Sequence, residues 1–176
     1  MDLNSRPLAP HPDEALPKLP TFTLTSNTAQ DLGEMPEPQT ANGGSVSPHL
    51  SWSGFPAETQ SFFLYCFDPD APTPAGYWHW GIVDIPANVT ELEEGAGESD
   101  LHLDGAAFHL INDAGEPSYY GANPPAGDRE HRYVFTVYAL DVPTLELDDE
   151  TTITTASFNA LFHALAKASI TLTFKQ

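Results

Sequence analysis

Two carboxylates and a histidine share one short stretch, Asp68-Pro-Asp-Ala-Pro-Thr-Pro-Ala-Gly-Tyr-Trp-His-Trp80, and a second histidine, His131, lies about fifty residues further on. Imidazole donors beside free N–H groups of a Gly/Pro-rich loop can hold an oxyanion. In that chemistry the aspartates orient the rings or the loop amides, or receive the ammonium of a zwitterionic head group. The same residue types also suit a facial metal site built from two His and two Asp. No His-x-x-x-His or Glu-x-x-His pair is present to mark such ligands on one element. A rigid turn carrying solvated aspartates is the plain structural alternative.

These groups need a scaffold, and the flanking sequence supplies strands. The first stretch follows the apolar run Ser61–Phe67 and leads into Trp80–Ile85. Prolines fix φ and push the preceding residue toward extended backbone, so the loop between the two runs is stiff. His131 belongs to a second Pro/Gly-rich stretch, residues 119–133, which enters the strand 133–140. Stiff polar loops on a sheet scaffold are common positions for binding residues. Run 61–67 is apolar on both faces, which predicts a central strand covered on each side, with Tyr65, Cys66 and Phe67 in the core. Alternation predicts further strands at 21–25, 49–53 and 170–174. Phe158, Leu161, Phe162 and Leu165 form one apolar stripe, which predicts a helix over 155–168 capped by Thr155 or Ser157. His102, His109 and His163 read as structural or surface groups.

The composition bounds what the chain can be. With 176 residues it reads as one domain over 21–176 behind an extended N-terminal arm, residues 1–20. Seventeen prolines and 12 glycines imply many turns and little helix. Acidic residues outnumber basic ones 25 to 6, and neither Lys nor Arg occurs between Lys18 and Arg129. Nucleic acid and anionic bilayers both need a basic footprint, so neither is expected as a partner. No stretch approaches the ~20 apolar residues of a membrane span. A single cysteine cannot form an internal disulfide, and the first twenty residues lack an apolar leader core, so a cytoplasmic location is expected.

Taken together, the two loop motifs resemble the phosphatidylethanolamine-binding protein (PEBP) family, in its bacterial Raf kinase inhibitor-like branch. The resemblance rests on Asp68-Pro69-Asp70-Ala71-Pro72, Trp78-His79-Trp80, Gly121 with Pro124-Pro125 and Gly127, and His131-Arg132-Tyr133. Gly105-Ala106, Asn112-Asp113, Phe158-Asn159 and Ala168-Ser169-Ile170-Thr171 add to it, and it covers about residues 20–176. It implies a mainly β fold, with a central antiparallel-rich sheet flanked by a smaller sheet and one or two peripheral helices. It further implies a pocket formed by Asp68, Asp70, Pro72, His79, Tyr119, Gly121 and His131, occupied by a phosphate group or phospholipid head group. No cofactor, metal or catalytic activity is implied. A homodimer through apolar surface outside the pocket is.

The resulting expectation is a protein that binds a small phosphorylated or anionic ligand. The alternatives are an interaction module that inhibits a kinase or protease, or a metal-dependent hydrolase. Positive charge in such a pocket must come from His79 and His131, with Arg129 and Arg132 as further candidates. A cis peptide at Ala71–Pro72 is expected in the first loop. Asn123 and Ser118 depart from the family pattern and are expected to alter the size of the mouth and the seat of Tyr119.

Overall fold

The computed structural model describes residues 2–176. Its frame is a five-stranded sheet in which every neighbouring pair is antiparallel. Across it lie β6 (Phe108–His109), β4 (Tyr77–Pro86), β3 (Ser61–Asp68), β7 (His131–Leu140) and β8 (Ala164–Phe174), in that spatial order. A second sheet of three short strands runs β1 (Thr23–Thr25), β2 (Leu50–Ser53), β5 (Glu91–Leu92). The mainly β fold with a large and a small sheet is thus as expected.

Strand β3 holds the centre because both its faces are apolar. Phe62, Leu64 and Cys66 point into a core shared with Trp80, Phe135, Leu172 and the small sheet's Leu50 and Trp52. Phe63 and Tyr65 point the other way, into a second core with Val83 and Tyr138. Successive strand residues face opposite sides, so one apolar run feeds two layers. Cys66 is fully buried, and burial pushes its thiol pKa well up.

Helix α2 (Ile153–His163) covers the second core and corrects the sequence reading in three ways. Its cap is Thr152, whose hydroxyl accepts the Thr155 N–H at 3.1 Å. It stops at His163, because residues 164–168 pair with β7, Ala166 lying opposite Ala139 and Ala168 opposite Val137. The alanines there favour helix locally, and the sheet ladder overrides that preference. Its buried face is Ile153, Ala156 and Ala160, whereas Phe158 and Phe162 are exposed. The small residues let the helix lie close: a Cβ on Gly81 of β4 would stand 2.8 Å from Ile153 Cγ1.

Among the described residues no helix is long and apolar enough to cross a membrane. The arm carries a 3-10 turn (Leu3–Ser5) and a four-residue helix, α1 (Pro12–Ala15). It is tied to the domain at several points. Asn4 donates to Gly127 O, Arg132 donates to Ala9 O, and Lys167 pairs with Asp13.

Candidate functional site

Antiparallel pairing brings the end of β3 and the beginnings of β4 and β7 to one edge of the large sheet, with Asp68 opposite Tyr77 and Phe67 opposite Val134. The loops leaving this edge enclose a cavity of about 280 Å³. Asp68, Ala71, Pro72, Thr73, Tyr77, His79, Tyr120, Asn123, Pro124, Pro125, His131 and Tyr133 line it. Cavities that take drug-sized ligands run about 300–1,000 Å³, so this one fits a head-group-sized molecule.

Asp68 folds the first loop. Its Oδ1 accepts the N–H groups of Asp70 (2.8 Å) and Ala71 (3.0 Å). An aspartate that captures amides two and three residues on makes its own turn. No cis peptide is found among the described residues, which corrects the expectation at Ala71–Pro72. The carboxylate cap on the loop amides supplies the turn instead.

His131 is clamped from both sides. Its Nδ1 stands 2.7 Å from Asp68 Oδ2 and its Nε2 3.0 Å from Asp128 Oδ2, and the ring is 1% exposed. A ring with carboxylates at both nitrogens donates from both, which requires imidazolium. Burial opposes that charge, but the hydrogen bonds and negative charge of Asp68 and Asp128 outweigh it, and the His131 pKa is raised. Asp128 in turn receives Arg6 from the arm through two parallel contacts of 2.9 Å. Mainly through this guanidinium, and despite burial, its pKa falls well below the usual carboxylate range.

His79 behaves in the opposite way. Nδ1 lies 2.7 Å from the Tyr120 carbonyl, so it carries the proton and donates. Tyr120 stacks parallel to the imidazole at 5.8 Å, with Tyr77 at 4.9 Å and Tyr133 edge-on at 5.1 Å. Burial among these rings lowers the His79 pKa, the nearby carboxylates and the Tyr120 carbonyl offsetting only part of it. At neutral pH its Nε2 therefore has a free lone pair, and on protonation it becomes a second donor.

Tyr133 adds a buried hydroxyl to the wall. It is 1% exposed; the Asn123 backbone N–H approaches its hydroxyl oxygen, but the hydroxyl donates to no group of the protein. Burial raises its pKa far above that of free tyrosine, so the hydroxyl keeps its proton. Buried polar atoms of native proteins are nearly always paired, and one left open at a cavity wall is a donor without its acceptor.

The structure divides the residues expected from the sequence. Asp68, Pro72, His79 and His131 line the cavity. Asp70 does not: both its oxygens are taken by Arg132, at 2.7 and 2.8 Å. Tyr119 is a core residue, its hydroxyl donating to Gln39 O at 2.8 Å, and its neighbour Tyr120 reaches the cavity in its place. Gly121 contributes closeness rather than contact, since a Cβ there would stand 2.3 Å from the Thr40 carbonyl carbon. Arg132 is spent on Asp70 and Arg129 on arm carbonyls, so neither offers free charge to the cavity. Asp128, Arg6 and Tyr120 were not singled out by sequence. Asp128 sits three residues before His131, a spacing that carries meaning only once His131 is known to need a second partner. With both His131 nitrogens on carboxylates, the two-histidine facial site is not assembled. No other cluster of His, Cys, Asp and Glu among the described residues could hold a metal ion.

Two sheets with loops closing a small aromatic cavity at one edge define a class of fold, and comparison with known proteins places the chain within it. It belongs to the phosphatidylethanolamine-binding protein family, whose sequence model matches residues 25–175. It is 40% identical over 156 residues to the UPF0098 protein YbhB of Escherichia coli K12, covering 86% of this chain and 98% of that one. The crystal structure of E. coli YbcL, described as a new member of the mammalian PEBP family, superposes with a TM-score of 0.85 at 36% identity, covering 88% of this chain and 98% of that one. A PEBP homologue from Chlamydia trachomatis gives 0.77 at 31% identity, covering 89% and 98%.

Proposed function

We propose that the chain binds a small phosphate-bearing ligand, of the size of a phospholipid head group, in the cavity between Asp68 and Tyr133. The Tyr133 hydroxyl at the wall carries this reading: it is a buried, protonated donor with no acceptor in the protein. His79 Nε2 supplies a second donor once protonated. The surrounding charges balance, Asp68, Asp70 and Asp128 against His131, Arg6 and Arg132. A zwitterion such as phosphoethanolamine therefore suits the site better than a bare polyanion. On this reading the chain binds and releases its ligand unchanged. In support, His131 is held away from proton transfer by its two carboxylates.

Calorimetric titration with phosphoethanolamine, comparing the native chain with Tyr133→Phe, tests the proposal. A hydrogen bond to a charged group contributes about 1.5–3 kcal/mol, so the variant should bind about tenfold more weakly or worse. Its melting temperature should change little, because the lost hydroxyl donates to no group of the protein. Absence of binding by the native chain, or equal binding by the variant, would overturn the proposal.

A further inference from the structure

The residues before β1 lie ahead of the family match, which begins at residue 25, yet they reach the cavity's supporting groups. Arg6 donates to both oxygens of Asp128 at 2.9 Å and to Asp70 O at 2.5 Å. Asp128 grips His131, His131 grips Asp68, and Asp68 grips the amides of Asp70 and Ala71, which lead into the Pro72 wall. The chain of contacts from arm to wall is continuous. Its two aspartates are essentially buried, with side-chain exposures of 0% for Asp128 and 3% for Asp68. Without Arg6, two buried carboxylates would share one imidazolium, a charge state that a protein interior penalises strongly. The arm is held on this course by Arg129, which donates to the carbonyls of Asn4 and Arg6.

We infer that Arg6 is a positioning residue of the ligand cavity, fixing Asp128, through it His131, and through His131 the Asp68 carboxylate that shapes the Pro72 wall. As a statement about ligand binding this rests on the function proposed above; as a statement about His131 it stands alone. The charged groups around His131 are Asp68 at the end of β3, Asp128 in its own loop, Arg6 on the arm, His79 on β4 and the Asp70–Arg132 pair. Removing the guanidinium leaves Asp128 unopposed, so His131 should hold its proton to higher pH.

The test is a magnetic resonance titration of the His131 imidazole in the full chain, with sulfate binding measured in parallel. In Arg6→Gln the His131 midpoint should rise by at least about half a unit. Arg6→Lys keeps the charge without the parallel fork; it should fall between the two, and it serves alone if the glutamine variant does not fold. Lys18→Gln removes an arm charge elsewhere and should titrate as the native chain does. Arm variants that superimpose on the native curve, or Lys18→Gln moving as far as Arg6→Gln, would overturn the inference. Sulfate should bind Arg6→Gln about threefold more weakly or worse, one positive charge having left the site; unchanged affinity would break the link from arm to cavity. If the native chain binds no sulfate, that counts against the proposed function, and the titration alone decides the role of Arg6.

Discussion

His79 and His131 line the same cavity and are shifted in opposite directions, because one is wrapped in aromatic rings and the other in carboxylates. The pH response of ligand binding should therefore belong to His79. A free histidine titrates near ~6.5, and burial moves His79 below that, so Nε2 gains its proton only under mildly acidic conditions. Sulfate stays a dianion across this range. Its affinity, followed by calorimetry between pH 8 and 5, should rise as pH falls, with a midpoint below ~6.5 that disappears in His79→Ala. Equal affinity at both ends would mean that neutral donors hold the anion, and a midpoint above 7 would assign the response to His131. The sequence shows which residues can do chemistry, but not how they divide it. Nothing in the string separates the carboxylate that lines the cavity (Asp68) from the one spent on Arg132 (Asp70), because the difference lies in loop geometry.

The segment Tyr119–Gly121 shows how one element serves the site both from the cavity wall, through Tyr120, and from behind it. Tyr120 exchanges hydrogen bonds with His79: its N–H donates to His79 O at 2.8 Å, and its carbonyl receives His79 Nδ1. Gly121 presses on the backbone of Thr40 and Ala41, where a Cβ would come within 2.3–2.7 Å. Main chain cannot yield as a flexible side chain does, so Gly121→Ala should cost about 1–3 kcal/mol in urea unfolding. It should also weaken phosphoethanolamine binding by displacing the carbonyl that orients His79. Unchanged stability would show that the two backbones can part freely. Strands were the most legible elements, since a two-faced apolar run such as 61–67 has few other solutions. Helix α2 was misread because Phe158 and Phe162 of its apolar stripe face outward, while its inner face is Ile153, Ala156 and Ala160. Periodicity finds a stripe but does not say which side of the helix meets the sheet.

For the molecule as a whole, charge is the dominant global property. With 25 acidic against 6 basic residues, the surface repels itself at neutral pH, and salt should relieve that repulsion. Melting temperature at pH 7.5 should rise between about 10 mM and 500 mM sodium chloride, the range over which the Debye length contracts from roughly 30 Å to a few Å. A fall would mean that the ion pairs of Arg6 with Asp128 and Arg132 with Asp70 outweigh the surface repulsion. The imbalance was plain in the sequence. What it hid was that three of the six cations, Arg6, Arg129 and Arg132, gather behind one cavity, two of them in salt bridges and the third on backbone carbonyls.

The single thiol has a practical use. Cys66 lies in the inter-sheet core with no exposed surface, and burial keeps it protonated. Maleimide and nitroxide reagents need an accessible thiolate and should pass it by while the chain stays folded. A Leu8→Cys substitution, on the outer side of the arm where the native residue is 60% exposed, would create the one reactive handle in the molecule. A fluorophore or spin label placed there would report on the arm's surroundings alone, with no background to remove first.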